Sequence, residues 1–189
     1  KSGILPTIDH VNLFLTWGEV EGIVCSGIDK GKKTTYALLD ERVPPTRELC
    51  REEALARLAS RYFQSHSPAQ LQDFVWWSGL TATECRLAIN LIKTELMTET
   101  FDSREYFIHQ SWKGKNESEP VLRLLPAFDE YLISYKNRTD VLPLEHHPKA
   151  FNRFGTFYPV ILYNGKIIGN WSRSIKKNTI QIEMDFFEK

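Results

Sequence analysis

The stretch from His66 to Lys93 constrains this chain most, because its punctuation admits two short helices around a tight turn and little else. Ser67 suits an N-cap and Pro68 a first helical position, where a missing N–H costs nothing. Leu71, Phe74, Val75 and Trp77 then form an apolar face at helical spacing. Gly79 ends that helix, since glycine enters the left-handed region without a steric penalty. Thr81 caps the second helix, and Glu84 stands three residues on, where it completes a capping box. Cys85, Ala88, Ile89 and Ile92 recur at the spacing of a buried stripe. Helix, glycine turn, helix is the outline of a helix-turn-helix, whose second helix is the one that enters a DNA major groove. A packed helical hairpin with no DNA role has the same outline.

The neighbouring segments extend this into modules. Ile8 to Trp17 reads as the end of a helix with Val11, Phe14 and Leu15 on one side. Val20–Ser26 and Lys33–Leu39 read as strands of a hairpin around a Gly-, Asp- and Lys-rich turn. Val43-Pro44-Pro45 interrupts helix and sheet alike. Glu48 to Gln64 is a helix burying Leu55, Leu58, Ala59, Tyr62 and Phe63. Leu96–Thr100 and Tyr106–Gln110 are two further strands. One core is expected to hold Leu71, Phe74, Leu87 and Ile92 together with Leu55, Leu58 and Tyr62. Polar residues 113–120 read as a linker or exposed loop. Beyond them the pattern turns to strands, with a short helix over Leu144–Asn152. The clearest hairpin is Val160–Tyr163, Asn164-Gly165, Lys166–Arg173, since Asn-Gly suits a two-residue type I′ turn. Thr179 to Phe187 alternates as a last strand. The expected fold is α+β: residues 1–46 as the end of a winged helix, 47–112 as a complete winged helix, and 113–189 as a small β-rich, barrel-like module.

The formal net charge of the 189 residues is zero, which argues against a strongly basic nucleic-acid binder. The average hides a gradient. Between Lys136 and Lys177 eight lysines and arginines face two acids, a local charge of +6, and a partner meets the local field. Cys25, Cys50 and Cys85 are odd in number and widely spaced, which fits reduced thiols in a cytoplasmic protein better than disulfides or zinc. No apolar run reaches transmembrane length and no signal peptide is visible, so no membrane association is expected. A chain that opens on Lys1 and enters a periodic segment almost at once reads as a truncated or processed product lacking an upstream part.

Four runs come in a recognisable order: Arg61-Tyr62-Phe63, Asp73-Phe74-Val75-Trp76-Trp77-Ser78-Gly79-Leu80, Leu124 to Leu132 (Leu-Leu-Pro-Ala-Phe-Asp-Glu-Tyr-Leu), and Asn164 to Trp171 (Asn-Gly-Lys-Ile-Ile-Gly-Asn-Trp). By these the chain resembles, over nearly its whole length, bacterial winged-helix proteins whose characterised members are DNA glycosylases that unhook interstrand crosslinks, the AlkZ type. The resemblance implies three tandem winged helices and a β-barrel around a concave DNA-binding surface, with this chain starting inside the second winged helix. It implies a catalytic Gln-aliphatic-Gln or Gln-aliphatic-Asp element in an N-terminal part that this sequence lacks. Gln70-Leu71-Gln72 matches the letters but falls in a later module, and amides two apart on a helix point to different sides. These glutamines are therefore read as surface and cap residues, and no catalytic residue is assigned.

The functional reading is the DNA-binding, C-terminal portion of a glycosylase-like repair protein acting as a monomer on double-stranded DNA, without a cofactor. The alternative is a non-enzymatic winged-helix transcription regulator or protein-interaction module, since fold alone does not give function. Candidate DNA contacts are Lys30 and Lys32 at the first hairpin tip; Thr83, Arg86, Asn90 and Lys93 on the second helix, where Arg and Asn are base-reading types; and Arg173, Lys176 and Lys177 at the last hairpin. Each has a plainer reading as a solvated surface charge. Trp76, Trp77 and Trp171 are read as core residues, with base stacking the functional alternative. Asp129 and Glu130 follow an apolar strand and would face opposite ways, with Asp129 bonding to backbone or to Arg138. His146 and His147, near Glu145 and Asp140, carry a third reading, a metal hydrolase. No further ligand stands at recognisable spacing, so no metal is assigned.

Overall fold

A computed structural model of the chain describes residues 7–114, 119–177 and 179–188. It is a mixed helical and antiparallel-sheet structure that divides into two units, residues 1–48 and 49–189. Half of the expected 113–120 loop, residues 115–118, lies outside the described residues.

In the first unit, helix α1 (Ile8–Val20) is capped by the Thr7 side chain, which accepts from His10 N. The helix runs through Val20, where the residue pattern suggests a strand. Gly22, at φ +69°, supplies the left-handed turn that ends it, and Ile23 N reaches back to Gly18 O. The hairpin β1 (Val24–Ser26) and β2 (Tyr36–Leu38) is correspondingly shorter than the sequence suggests, and α2 (Leu39–Arg42) follows it. Val11, Phe14 and Trp17 stay exposed on α1, because so short a unit has little surface to set against them.

The second unit begins with α3 (Arg51–His66). It buries Leu55, Ala59, Tyr62 and Phe63, with Leu58 half-buried beside them. Next comes α4 (Leu71–Ser78), which starts later than Ser67-Pro68 suggests. Ser67 instead closes α3: its hydroxyl donates to Phe63 O and accepts from His109 N. Ala69 then exchanges two backbone hydrogen bonds with Phe107, so the segment between α3 and α4 is extended and lies on a strand edge. Gln70 is the N-cap of α4, in a capping box with Asp73. Gly79 ends α4 at φ +70°, and Thr81 with Glu84 caps α5 (Ala82–Leu91), as their spacing suggests. Strands β3 (Leu96–Phe101) and β4 (Arg104–His109) pair antiparallel around the left-handed residues Asp102 and Ser103.

One core holds α3, α4 and α5 together: Phe74, Cys85, Ala88 and Ile92 are buried with Leu55 and Tyr62, and Leu71 packs partly against them. Leu87 departs from expectation at 41% exposed. It stands two residues from Cys85, about 200° round the helix, and so faces away from the buried stripe.

The remainder is a four-stranded antiparallel sheet in the order β5 (Leu122–Leu125), β6 (Val160–Tyr163), β7 (Lys166–Lys176), β8 (Thr179–Phe186). It is open, so the barrel-like closure expected from the pattern does not form among the described residues. Asn164 and Gly165 make the β6–β7 turn with φ of +47° and +79°. Helices α6 (Glu130–Ile133) and α7 (His147–Ala150) cover one face, and Leu132, Leu142, Ala150, Val160 and Ile167 form its core. The outer half of β7–β8 runs past this core. Ile180, Ile182, Met184 and Phe186 alternate onto one face, yet all are exposed.

Two carboxylates hold the unit's geometry. Asp73, 2% exposed, accepts from Gln70 N at 2.9 Å and from Lys136 N at 2.9 Å. It therefore ties the start of α4 to the segment after α6. Glu84 accepts from the Thr81 hydroxyl and Thr81 N, and also meets the Arg51 guanidinium. Together these bonds, the Thr81 hydroxyl first, hold its carboxyl down to about 2.

Replacing Asp73 by Asn leaves one oxygen for two buried N–H donors and points an NH2 at one of them. We expect a loss of about 1–3 kcal/mol for the donor left unsatisfied, read from urea unfolding; an unchanged midpoint would contradict the tie. Glu84 has a depressed folded pKa, so its contribution is present above the ordinary carboxylate range and is lost as pH falls through about 2. Thermal unfolding of Glu84→Gln between about pH 5 and pH 2 should show a shallower loss of stability on acidification than the parent.

Candidate nucleic-acid interface

Helix α5 buries Cys85 and Ala88, so the residues offset from them face outward. Thr83, Arg86 and Asn90 are exposed on its outer side, whereas Lys93, expected on the same helix, is exposed in the 3-10 turn that follows the end of α5 at Leu91. Glu84 is the acid of α5 and is already engaged by Thr81 and Arg51. Among the described residues nothing pairs with the side chains of Arg86 or Lys93.

The adjoining helix α4 carries two tryptophans with different fates. Trp77 packs against the three-helix core. Trp76, one position round the helix, is 53% exposed. This corrects the reading of Trp76 as a core residue. Its position is nevertheless fixed: the indole N–H donates to Ile133 O at 2.9 Å, and the Arg138 guanidinium lies 5.6 Å from a ring centroid. Trp171 is half-buried, with its N–H donating to Leu125 O at 2.7 Å.

Both α4 contacts come from a strap formed by α6 and the residues after it. Tyr135 donates its hydroxyl to His66 O at 3.0 Å, and the Trp77 N–H lies 3.3 Å from a Glu130 carboxylate oxygen. Burial, reinforced by the Asp73 charge, pushes Tyr135 up to about 12, so its hydroxyl stays a donor. Arg104 grips Asp140 with two bonds of 3.0 and 3.1 Å. Arg138 lies 5.4 and 5.2 Å from the Phe151 and Phe157 rings, and this burial lowers its pKa. One of its terminal nitrogens, Nη2, is buried without a hydrogen-bond partner among the described residues.

Between α4, the Gly79 turn and the strap runs an open groove of about 540 Å³. Leu71, Val75 and Leu80 make its apolar wall, Trp76 lines it, and Arg86 and Lys136 bring positive charge to it. Lys136 was visible in the sequence only as one of eight basic residues. Its backbone bond to Asp73 is what brings it beside Arg86. A second cavity of about 350 Å³ lies behind the start of α4, walled by Tyr106, Tyr131 and Tyr135.

The other candidate contacts lie elsewhere. Arg173, Lys176 and Lys177 are exposed on the β7–β8 hairpin, but Arg173 and Lys176 stand at odd and even positions of one strand and point to opposite faces. Glu183 and Asp185 sit across from Ser172 and Asn170, on the face of Lys176. Lys30 and Lys32 are exposed at the tip of the first unit's hairpin, where Lys30 bridges Lys33.

Several smaller expectations change with the structure. Gln70 and Gln72 do converge, with Gln72 Nε2 donating to Gln70 Oε1 at 2.9 Å. The helix argument failed because Gln70 is extended, at φ −94° and ψ 162°. Asp129 and Glu130 are the cap and first residue of α6 rather than strand residues; of the two partners expected for Asp129 it takes the backbone, accepting from Tyr131 N. His147 is engaged by Leu142 O at 3.2 Å, and His146 lies 3.6 Å from Glu188. Among the described residues no group of three His, Cys, Asp or Glu side chains is set to hold a metal, and no helix is long and apolar enough to cross a membrane.

The chain is 25% identical over 170 residues to an interstrand DNA cross-link repair glycosylase of Streptomyces sahachiroi, covering 82% of this chain and 46% of that protein. Its fold matches the solved structure of the Streptomyces sahachiroi DNA glycosylase AlkZ with a TM-score of 0.72 at 21% identity, over 95% of this chain and 52% of the other. The chain thus spans about half the length of these relatives. The family model described as DNA glycosylase AlkZ-like matches residues 12–189, and the chain belongs to that family.

Proposed function

We propose that this chain is the DNA-holding, non-catalytic portion of an AlkZ-like base-excision repair protein. The observation that carries this is the outer side of α5, where Thr83, Arg86 and Asn90 are exposed and Lys93 follows in the next turn, with neither Arg86 nor Lys93 paired among the described residues. We read α3, the extended Ala69 segment, α4, α5 and the β3–β4 hairpin as a winged helix with α5 as its recognition helix. The helix and hairpin of the first unit are read as the end of another. The contacts are to the phosphate backbone: phosphates position a protein on a duplex without reading its sequence. The β7–β8 hairpin is a secondary contact, of which one face at a time meets a duplex. In a whole protein of this family the chemistry is hydrolysis of the N-glycosidic bond of an alkylated purine, by water attack at C1′. We assign none of the groups that position that water to these 189 residues. Such a role puts the protein in the cytoplasm with the chromosome.

Fluorescence anisotropy with a labelled duplex, repeated across salt concentrations, tests this. The chain should bind in the non-specific range, about 10⁻⁴ to 10⁻⁶ M, and lose affinity steeply with salt. Replacing Arg86 and Lys93 by Gln should flatten the log–log salt slope by up to about two. Replacing Arg173, Lys176 and Lys177 by Gln should also remove at most about two, since opposite strand faces cannot meet one duplex. Unchanged slopes in both variants would put the DNA on another face. The same sample should release no alkylated base, and excision that is lost in Gln72→Ala would overturn the non-catalytic reading.

A further inference from the structure

We propose that the groove along α4 seats one unpaired nucleotide of DNA, with its base stacked on Trp76 and the flanking phosphates held by Arg86 and Lys136. The inference rests on the DNA-holding reading and adds a preference that reading does not contain.

Three observations converge. The first is Trp76 itself. A tryptophan exposed by half is ordinarily free to change rotamer, yet this one is held by its N–H on Ile133 O and by the Arg138 guanidinium near its ring. Both restraints come from the strap, so the ring is set in place before any ligand arrives. A preset aromatic ring loses little freedom on binding, which is what a stacking platform needs.

The second is charge. Arg86 and Lys136 line the same groove, and among the described residues neither side chain has a partner. No acid lines the groove. Asp73, the nearest buried carboxylate in the sequence of α4, spends its oxygens on two backbone N–H groups and lines the other cavity instead.

The third is shape. Leu71, Val75 and Leu80 make an apolar wall beside the ring, in an open groove of about 540 Å³. That lies within the roughly 300–1,000 Å³ of ordinary ligand sites. The fitting ligand is flat and apolar on its faces and negatively charged at both ends. A nucleotide within a strand has that form. Inside a duplex its base faces are covered by stacking, so only an unpaired or displaced one can offer a face to Trp76. Sequence tolerance follows, because every base has a π-face.

The test uses the full chain and two labelled duplexes that differ by one bulged nucleotide, with Kd from anisotropy and binding also followed by tryptophan quenching. The bulged duplex is expected to bind about tenfold tighter or more than the fully paired one, the scale of one base stack, and to quench fluorescence more. Trp76→Leu should collapse that affinity ratio toward one and remove the extra quenching. Because Trp76 also bonds to Ile133 O, Arg86→Gln with Lys136→Gln serves as a second variant that leaves the ring in place. It should flatten the salt slope on the bulged duplex by up to about two. Equal affinity for the two duplexes would overturn the seat and leave the DNA-holding reading standing. So would a preference that survives Trp76→Leu in a folded sample, or a bulge salt slope unmoved by the double Gln variant. Absence of binding to either duplex would overturn both.

Discussion

The Asp73 carboxylate is the interaction on which the arrangement of the larger unit depends. A buried carboxylate is costly unless its lone pairs are filled. Here one oxygen accepts from Gln70 N at the start of α4 and the other from Lys136 N beyond α6. The first bond satisfies an orphan donor that every helix start leaves open. The second fixes a distant segment against the same helix. Filling both ends of one side chain thus joins helix initiation to tertiary docking.

Everything at the groove follows from that docking. With Lys136 fixed, the strap lies along α4, and Ile133 O meets the Trp76 indole while Glu130 meets that of Trp77. Tyr62 and Tyr135 close the joint with hydroxyl bonds to Ser134 O and His66 O. Arg138 is drawn among Trp76, Phe151 and Phe157, where ring faces replace the solvation that burial removes. The seam between helices and sheet is therefore polar at its bonds and aromatic at its fill. Such a seam holds a surface tryptophan in one orientation, which apolar packing alone does not.

How much of this was readable in the residues depended on distance along the chain. The glycine turn at Gly79, the Thr81–Glu84 box and the Asn164-Gly165 turn are local devices, and each formed where its spacing placed it. The start of α4 was misplaced because Ser67 answers to His109, forty-two residues away, instead of capping its own neighbours. Trp76 and Trp77 are adjacent and alike in type, so periodicity could not show which one the strap would leave exposed. Lys136 joined Arg86 through the Asp73 bond, a contact with no sequence signature. The open sheet is a failure of the same kind: alternation in β8 predicts a face, not what covers it.

A net charge of zero is compatible with a DNA-holding face because the charges are not spread evenly. Arg51 with Glu84 and Arg104 with Asp140 form close pairs, and a close pair has little field at a distance. Salt screens exposed charges beyond about 8 Å at physiological ionic strength. On the proposed DNA-holding reading, a phosphate near α5 would thus meet Arg86, Lys93 and Lys136, whose side chains have no partners among the described residues. On the β7–β8 hairpin the same reasoning weakens the case. The +6 of residues 136–177 was counted along the chain, whereas folding brings Glu183 and Asp185 of β8 alongside β7. A sum taken in sequence overstates the field there and understates it at the groove, where two basic residues fifty positions apart meet.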